Sequence, residues 1–341
     1  MSRYLITGAA GFIGFHLAKH LLEQGNVVVG YDGMTSYYDV MLKRARLRQL
    51  GAYPSFQFVE GMVENLPLLR EAALASAPNC IIHLAAQAGV RYSIEQPGAY
   101  VTSNLVGSWA VLEIARELSP DHLLMASTSS VYGANAKIPF SECDRASEPL
   151  SLYAATKSGM EAMAHSYSSL FDIPATMFRF FTVYGPWGRP DMALFRFVDA
   201  IQHDKPIDVY GHGAMARDFT YVDDLVQAII RLAPLAPSTI ETAAGDFVSP
   251  SAPFRVVNIG GGQPVSLMDF INVVETCLGR KAKLNLLPMQ PGDVPVTFAN
   301  PTLLRTLTGY SPATPISDGV AEFVRWHSSY YAAAGTTARA A

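Results

Sequence analysis

Short apolar runs alternate with longer stretches of helical periodicity through the first half of the chain. Arg3–Thr7 reads as a strand and residues 11–24 as a helix. Residues 26–31 (NVVVGY), Phe56–Glu60, residues 80–85 (CIIHLA), residues 122–127 (HLLMAS) and Ala175–Phe180 read as further strands. Strands alternating with helices predict right-handed crossovers and a parallel sheet. These strands are apolar nearly throughout, the pattern of burial on both faces. The expected class is therefore α/β, with a doubly wound parallel sheet.

The rhythm changes after Phe181. Pro186, Gly188 and Pro190 punctuate a loop, residues 191–203 resume a helical pattern, and short strands and turns follow. Residues 235–253, rich in Ala, Pro, Ser and Thr, read as a long surface loop. Residues 256–259 make another apolar strand, and residues 266–278 a helix opened by an N-cap serine. Residues 331–341 read as a frayed tail.

Composition narrows the classes of function. The 341 residues leave room for about two domains. Hydrophobic residues make up 50% and charged ones 16%, which excludes wholesale disorder. The 25 Lys and Arg against 29 Asp and Glu give a formal charge of −4 without a basic cluster, so nucleic acid is not an expected partner. Cys80, Cys143 and Cys277 are scattered and odd in number. They suggest neither a zinc site nor a disulfide framework, and they fit a reducing compartment. No apolar run is long enough to cross a bilayer, and MSRYLITG enters a strand at once with no signal peptide. A cytoplasmic protein without membrane contact is the expectation.

Candidate chemistry begins at the run from Thr7 to Gly14 (TGAAGFIG), between the first strand and the first helix. Gly8, Gly11 and Gly14, with Phe12 and Ile13 between them, let the backbone turn tightly and approach a pyrophosphate at a helix N-terminus. The spacing is GxxGxxG, and its placement between strand and helix carries more weight than the three glycines. Asp32 closes the second strand, where a carboxylate accepts from ribose hydroxyls and repels a 2′-phosphate. NAD is thus the expected cofactor, in preference to NADP. Tyr153 and Lys157 form YxxxK on one face of a helical segment. Alone, that pair also fits a solvated helix surface. The hydroxyl-rich residues 126–133 (ASTSSVYG) just before it point instead to a ligand at the carboxyl edge of the sheet. An ammonium one turn from the phenol is expected to lower its pKa.

With these residues in place, the chain resembles the extended short-chain dehydrogenases/reductases of the nucleotide-sugar epimerase and dehydratase group, from residue 4 to about residue 326. More narrowly it resembles the UDP-glucuronate 4-epimerases. Residues 36–40 (SYYDV), 85–93 (AAQAGVRYS) and 179–193 (RFFTVYGPWGRPDMA) carry that likeness. The resemblance implies a Rossmann-type NAD-binding domain at 1–182 and 222–264 and a smaller α/β substrate domain at 183–221 and 265–330. It implies Tyr153 as general base, Lys157 as its partner on the nicotinamide ribose, and Thr128 on the reacting 4-hydroxyl. Asn104 is similar to an asparagine that supports the site, Arg217 to an arginine on the substrate pyrophosphate, and Asp293 to the carboxylate on the uridine ribose. Where the family has Gly-Asp after the third strand, this chain has Gly61 and Met62.

The resemblance also sorts the reactions. Dehydrating relatives carry Asp-Glu where this chain has Ser129 and Ser130, and decarboxylating relatives carry Glu at the place of Ser130. Neutral-hexose epimerases carry Asn where Thr182 stands. Epimerisation of UDP-glucuronate at C4 is the expected activity. A UDP-glucuronate decarboxylase, a UDP-glucose/galactose 4-epimerase and a non-catalytic NAD-binding sensor or scaffold are the alternatives. Thr128, Ser129, Ser130 and Thr182, with Arg189 as a charged partner, are expected around the substrate carboxylate. Arg91 reads either as a surface ion pair or as a second anion contact. A homodimer through residues 98–118 and 151–170 is implied by the likeness. Outside the site, His16 and His20 read as a helix pair without a metal, and His83 as structural. Trp109, Trp187 and Trp326 read as packing residues, and Glu161 and His165 as helix-surface or dimer-contact residues.

Overall fold

Strand and helix follow each other as the apolar pattern requires. The computed structural model describes residues 1–240, 245–290 and 292–334. The chain opens with β1 (Arg3–Thr7), α1 (Phe12–Glu23), β2 (Val27–Asp32), α2 (Val40–Leu50), β3 (Phe56–Glu60), α3 (Leu66–Ser76) and β4 (Cys80–His83). Two short helices, α4 (Tyr92–Glu95) and α5 (Pro97–Tyr100), lead through a π-helical turn (Val101–Val106) into α6 (Gly107–Leu118). Then come β5 (His122–Thr128), α7 (Leu152–Phe171) and β6 (Ala175–Phe180). The remainder runs β7 (Thr182–Tyr184), α8 (Ala193–Gln202), β8 (Pro206–Val209), β9 (Ala216–Tyr221), α9 (Val222–Leu232) and β10 (Phe254–Ile259). It ends with β11 (Pro264–Ser266), α10 (Leu267–Leu278), β12 (Lys283–Leu286), β13 (Val296–Thr297), α11 (Thr302–Thr308) and α12 (Ile316–Ala334).

The main sheet has the order β10-β6-β5-β4-β1-β2-β3, parallel at every pairing. Its connections reverse direction between β1 and β4, so the crevice for a ligand opens at the carboxyl ends of those strands. Phe15, Leu21, Val226 and Ile229 fill one face of the sheet, and Leu69, Val111, Ile114 and Met160 fill the other. The fold class read from the sequence is the one observed. A second lobe gathers β7, β9, β11 and β13 in one small sheet and β8 with β12 in another. Phe195, Val198, Phe270, Val320 and Phe323 make its core.

Three details depart from expectation. The fourth strand stops at His83, and the tenth begins earlier, at Phe254. Tyr331 is not frayed: α12 carries it to within 5.9 Å of the Phe195 ring, centroid to centroid. The rest of the tail, from residue 335, lies outside the described residues. Leu303 and Leu304 of α11 enter the core of the large sheet, so we propose the two-domain division with that helix counted in the NAD-binding half.

The loop at 235–253, of which residues 241–244 lie outside the described residues, sits at the amino edge of the sheet. Pro253 O accepts from Ala175 N at the start of β6 (2.9 Å), and Ser249 N donates to Phe254 O (2.8 Å). His165 Nε2 and Ser249 Oγ lie 2.9 Å apart, and Ser169 Oγ donates to Ser251 O (3.1 Å). A buried ion pair, Arg255 Nη1 to Asp246 Oδ2 at 2.7 Å, pins the loop to β10. Arg255 also donates to Leu235 O. Removing one partner leaves an uncompensated buried charge, so Asp246→Ala is expected to cost about 3 kcal/mol in a denaturant titration. Because this edge lies opposite the crevice, the same variant is expected to keep its bound cofactor and its kcat.

Candidate active site

The turn after β1 builds a cradle of bare backbone. Gly8 has φ +76°, and a Cβ there would lie 2.7 Å from Ala85 N. A Cβ on Gly14 would lie 2.1 Å from Gly8 O, so the first turn of α1 packs directly on the loop. Gly11 caps α1 without a side-chain bond, and no acidic residue occupies the first turn. The helix therefore presents free N–H groups and its positive dipole end to the crevice, the chemistry of an anion site. Phe12 and Ile13 line the same groove.

Asp32, at the end of β2, is 6% exposed. Its carboxylate accepts from Ala10 N (3.1 Å) and Met34 N (2.8 Å), which fixes it beside the glycine loop. Lys43 Nζ lies 3.5 Å from Asp32 Oδ1. The sequence reading missed Lys43, as it missed Arg46, which is fully buried. Arg46 Nη1 donates to Ala10 O (2.8 Å) and Tyr38 Oη (2.8 Å), and Nη2 to Trp187 O (2.6 Å). It thereby ties the glycine loop to the loop that carries Arg189. Trp187 holds a left-handed φ of +61° there, and Pro186 O is held by His16 Nε2 at 2.9 Å. The stripe Leu42, Arg46, Leu50, each fully buried, was the available signal, since it marks the inward face of α2.

Thr128 ends β5, Tyr153 and Lys157 lie one turn apart on α7, and all three line the dinucleotide groove with Arg189. Burial pushes the Tyr153 phenol above its ordinary pKa, while contact with the Thr128 hydroxyl and the field of Arg189 pull it back. Lys157 lies one turn further along the same face of α7. Its Nζ donates to Ala126 O (2.8 Å), and burial brings its pKa down to about 8, against the upward pull of Glu161. His83 Nδ1 and Thr7 Oγ1 lie 2.7 Å apart, and His83 Nε2 and Ser108 Oγ 3.1 Å apart. Burial, with Lys157 nearby, brings the His83 pKa to about 3, so this imidazole is a neutral packing group.

Asn104 lies inside the π-helical turn, a local widening frequent at functional sites. Its amide exchanges bonds with Gln87 (N to Oδ1, 2.9 Å; Nδ2 to O, 3.0 Å) and donates to Thr156 Oγ1 (3.1 Å). It thus supports the loop after β4 without lining the groove. Thr128, Ser129, Ser130, Thr182, Arg217 and Asp293 share one cleft. A wider cleft of about 800 Å³ continues past Thr182, Arg91, Arg217 and Asp293 into the second lobe. Arg91 Nη2 lies 3.6 Å from Asp293 Oδ2, and its guanidinium covers the Tyr210 ring at 4.2 Å. Arg189 pairs bidentately with Asp191 (2.9 and 2.6 Å), which also accepts from Tyr37 Oη (3.2 Å).

Several sequence readings are corrected. Glu161 is no surface group: its side chain is 12% exposed and pairs with Arg179 Nη2 at 2.7 Å. His165 faces the 235–253 loop. Trp109 is 40% exposed rather than packed, whereas Trp187 and Trp326 pack tilted against each other, 5.2 Å between ring centroids. His16 and His20 both face Asp223, at 3.3 and 3.9 Å. Among the described residues no group of three or more His, Cys, Asp or Glu is placed to hold a metal ion.

A model of the NAD dependent epimerase/dehydratase family matches residues 4–240. The chain belongs to that family. It is 60% identical over 339 residues to a probable UDP-glucuronate 4-epimerase of Rhizobium meliloti (strain 1021), covering 98% of this chain and 99% of that one. It is 51% identical over 332 residues to Protein CapI of Staphylococcus aureus, covering 96% and 99% respectively. Among solved structures, UDP-glucuronic acid 4-epimerase from Bacillus cereus in complex with UDP-glucuronic acid and NAD matches with TM-score 0.86 at 34% identity, covering 96% of this chain and 100% of that one. The family's NAD dependence agrees with the cradle. A Cβ at Gly8 or Gly14 would run into neighbouring backbone and open the turn, and the uncapped N-terminus of α1 and Asp32 both border that groove.

Proposed function

We propose that this chain is a UDP-glucuronate 4-epimerase interconverting UDP-glucuronate and UDP-galacturonate. The observation that carries the reading is the position of Tyr153. It faces Thr128 where the dinucleotide groove meets a sugar cleft walled by neutral hydroxyls. Bound NAD supplies reversible hydride acceptance at C4. Tyr153, as phenolate, takes the proton of the 4-hydroxyl and later returns one, and Thr128 donates to the oxygen as it becomes a carbonyl. Lys157 donates to the nicotinamide ribose. Arg217 and Arg91 meet the pyrophosphate and Asp293 the uridine ribose, an anchor about which the 4-keto sugar turns. Asn104 holds the loop behind them. Met62, at the groove wall, offers adenine a soft apolar surface in place of the family's carboxylate. The test is incubation of the NAD-loaded protein with UDP-glucuronate, with UDP-galacturonate as the expected product. Bound NAD without turnover would favour the sensor reading.

A 4-keto hexuronate is a β-keto acid and loses carbon dioxide when its carboxylate bond aligns with the carbonyl π system. Ser129, Ser130 and Thr182, with Arg189, restrain that bond near the ring plane. Thr182→Ala is therefore expected to raise the UDP-pentose by-product by about tenfold, the effect of losing one charge-assisted hydrogen bond. An unchanged product ratio, read by chromatography, would remove Thr182 from this role.

A homodimer is part of the same proposal. Val101, Val106 and Trp109 are each at least 40% exposed on the π-helical turn and α6, an apolar face suited to a second copy. Among the described residues no helix is long and apolar enough to cross a membrane. All three cysteines are free thiols, which supports a cytoplasmic setting.

A further inference from the structure

Tyr153, Lys157 and Glu161 recur at four-residue spacing on α7, so all three share one helix face. The first two reach the groove, and the third does not line it. Glu161 is instead the hub of a buried network. Its Oε1 accepts from Ser127 Oγ at 2.5 Å and from Arg179 Nε at 3.0 Å, and its Oε2 accepts from Arg179 Nη2 at 2.7 Å. The Arg179 guanidinium lies over the Tyr132 ring at 4.7 Å.

Ser127 is the informative partner. Its neighbour Ala126 offers the carbonyl that holds Lys157 Nζ at 2.8 Å, and its other neighbour is Thr128. One carboxylate therefore grips the strand end that sets both the lysine anchor and the hydroxyl facing the phenol. It is also the carboxylate that acts on Lys157. The groups facing that amine are His83 from β4, held neutral, and Glu161 from α7. Glu161 itself is faced by Arg179 from β6, with Glu142 acting on the same guanidinium. An ammonium helps the phenol only while it keeps its proton, and burial works against that.

We propose that Glu161 is a positioning residue for the C4 chemistry, holding the Lys157 charge and, through Ser127, the strand end that carries Thr128. This rests on the reading of Tyr153 and Lys157 as the proton machinery. A buried ion pair that only held the fold would leave the lysine's titration alone.

The test compares wild type with Glu161→Gln and with the neutral pair Glu161→Gln/Arg179→Gln, all as NAD-bound protein. The Lys157 midpoint is followed by isotope-edited NMR of the lysine Cε atoms, assigned with Lys157→Arg, alongside the pH profile of kcat. The midpoint is expected to fall by about one pH unit in both variants. The alkaline limb of the profile should move down with it, and KM for UDP-glucuronate should stay within about twofold. The double variant guards against an unpaired Arg179 unfolding the single one. An unmoved midpoint, or a double variant that restores the wild-type profile, would overturn the proposal. The NMR midpoint needs no turnover, so a protein that titrates as expected but does not epimerise would defeat the functional reading and leave this one standing.

Discussion

Tyr153→Phe is expected to lower kcat by about a thousandfold, with KM for UDP-glucuronate and the content of bound NAD nearly unchanged. The phenyl ring keeps the packing of the side chain, including its edge contact with Tyr100 at 6.0 Å between centroids. What disappears is the hydroxyl that exchanges a proton with the substrate. The nearby groups are poor replacements. His83 is buried between Thr7 and Ser108 with its pKa near 3, and the Lys157 amine is turned to the Ala126 carbonyl. Thr128 has no ionised form in the working range. The loss therefore falls on the step in which C4 is oxidised, and it should appear in kcat alone. A fall in NAD content of similar size would show that the ring builds the site rather than acting in it.

Gly14→Ala should produce the opposite split. Its new methyl would lie 2.1 Å from Gly8 O and 2.9 Å from Ala9 Cα, both backbone atoms. Neither can move without opening the glycine turn, so α1 must shift away from the loop. We expect at least a tenfold loss of NAD affinity, about 1.4 kcal/mol, and a destabilisation of about 1–3 kcal/mol. Gly98→Ala is the control, since a Cβ there meets nothing within 4 Å. Its effect on stability should stay within about 0.5 kcal/mol. NAD released by denaturation and measured by absorbance distinguishes the two. Normal NAD content in Gly14→Ala would contradict the dependence of the cofactor cradle on the packing of α1 against the glycine turn.

Much of this arrangement was legible before the structure. The apolar strands order the sheet, the glycines and Asp32 locate the groove, and the hydroxyl run before YxxxK places the chemistry at the carboxyl edge. Buried charge was not legible. Glu161 read as a helix-surface or dimer-contact residue, and Lys43, Arg46 and Arg179 drew no individual role, because charged side chains are seldom buried unless paired. Each is held by a partner distant in sequence: Glu161 by Arg179, and Arg46 by Ala10 and Trp187. The same holds for the lowered pKa of Lys157, which depends on burial that helical spacing does not reveal. The π-helical turn at Asn104 shifts the helix register without altering the apolar pattern. The composition of residues 235–253 announced a surface loop, but the Arg255–Asp246 pair decides which edge it covers.

The central claim is that C4 loses and regains the same hydrogen beside Tyr153, with NAD in the groove as the group that would accept and return the hydride. UDP-glucuronate deuterated at C4, converted in single-turnover amounts by the NAD-loaded protein, tests it directly. The account predicts UDP-galacturonate that retains deuterium at C4. Loss of the label to solvent, or UDP-pentose as the main product, would contradict it.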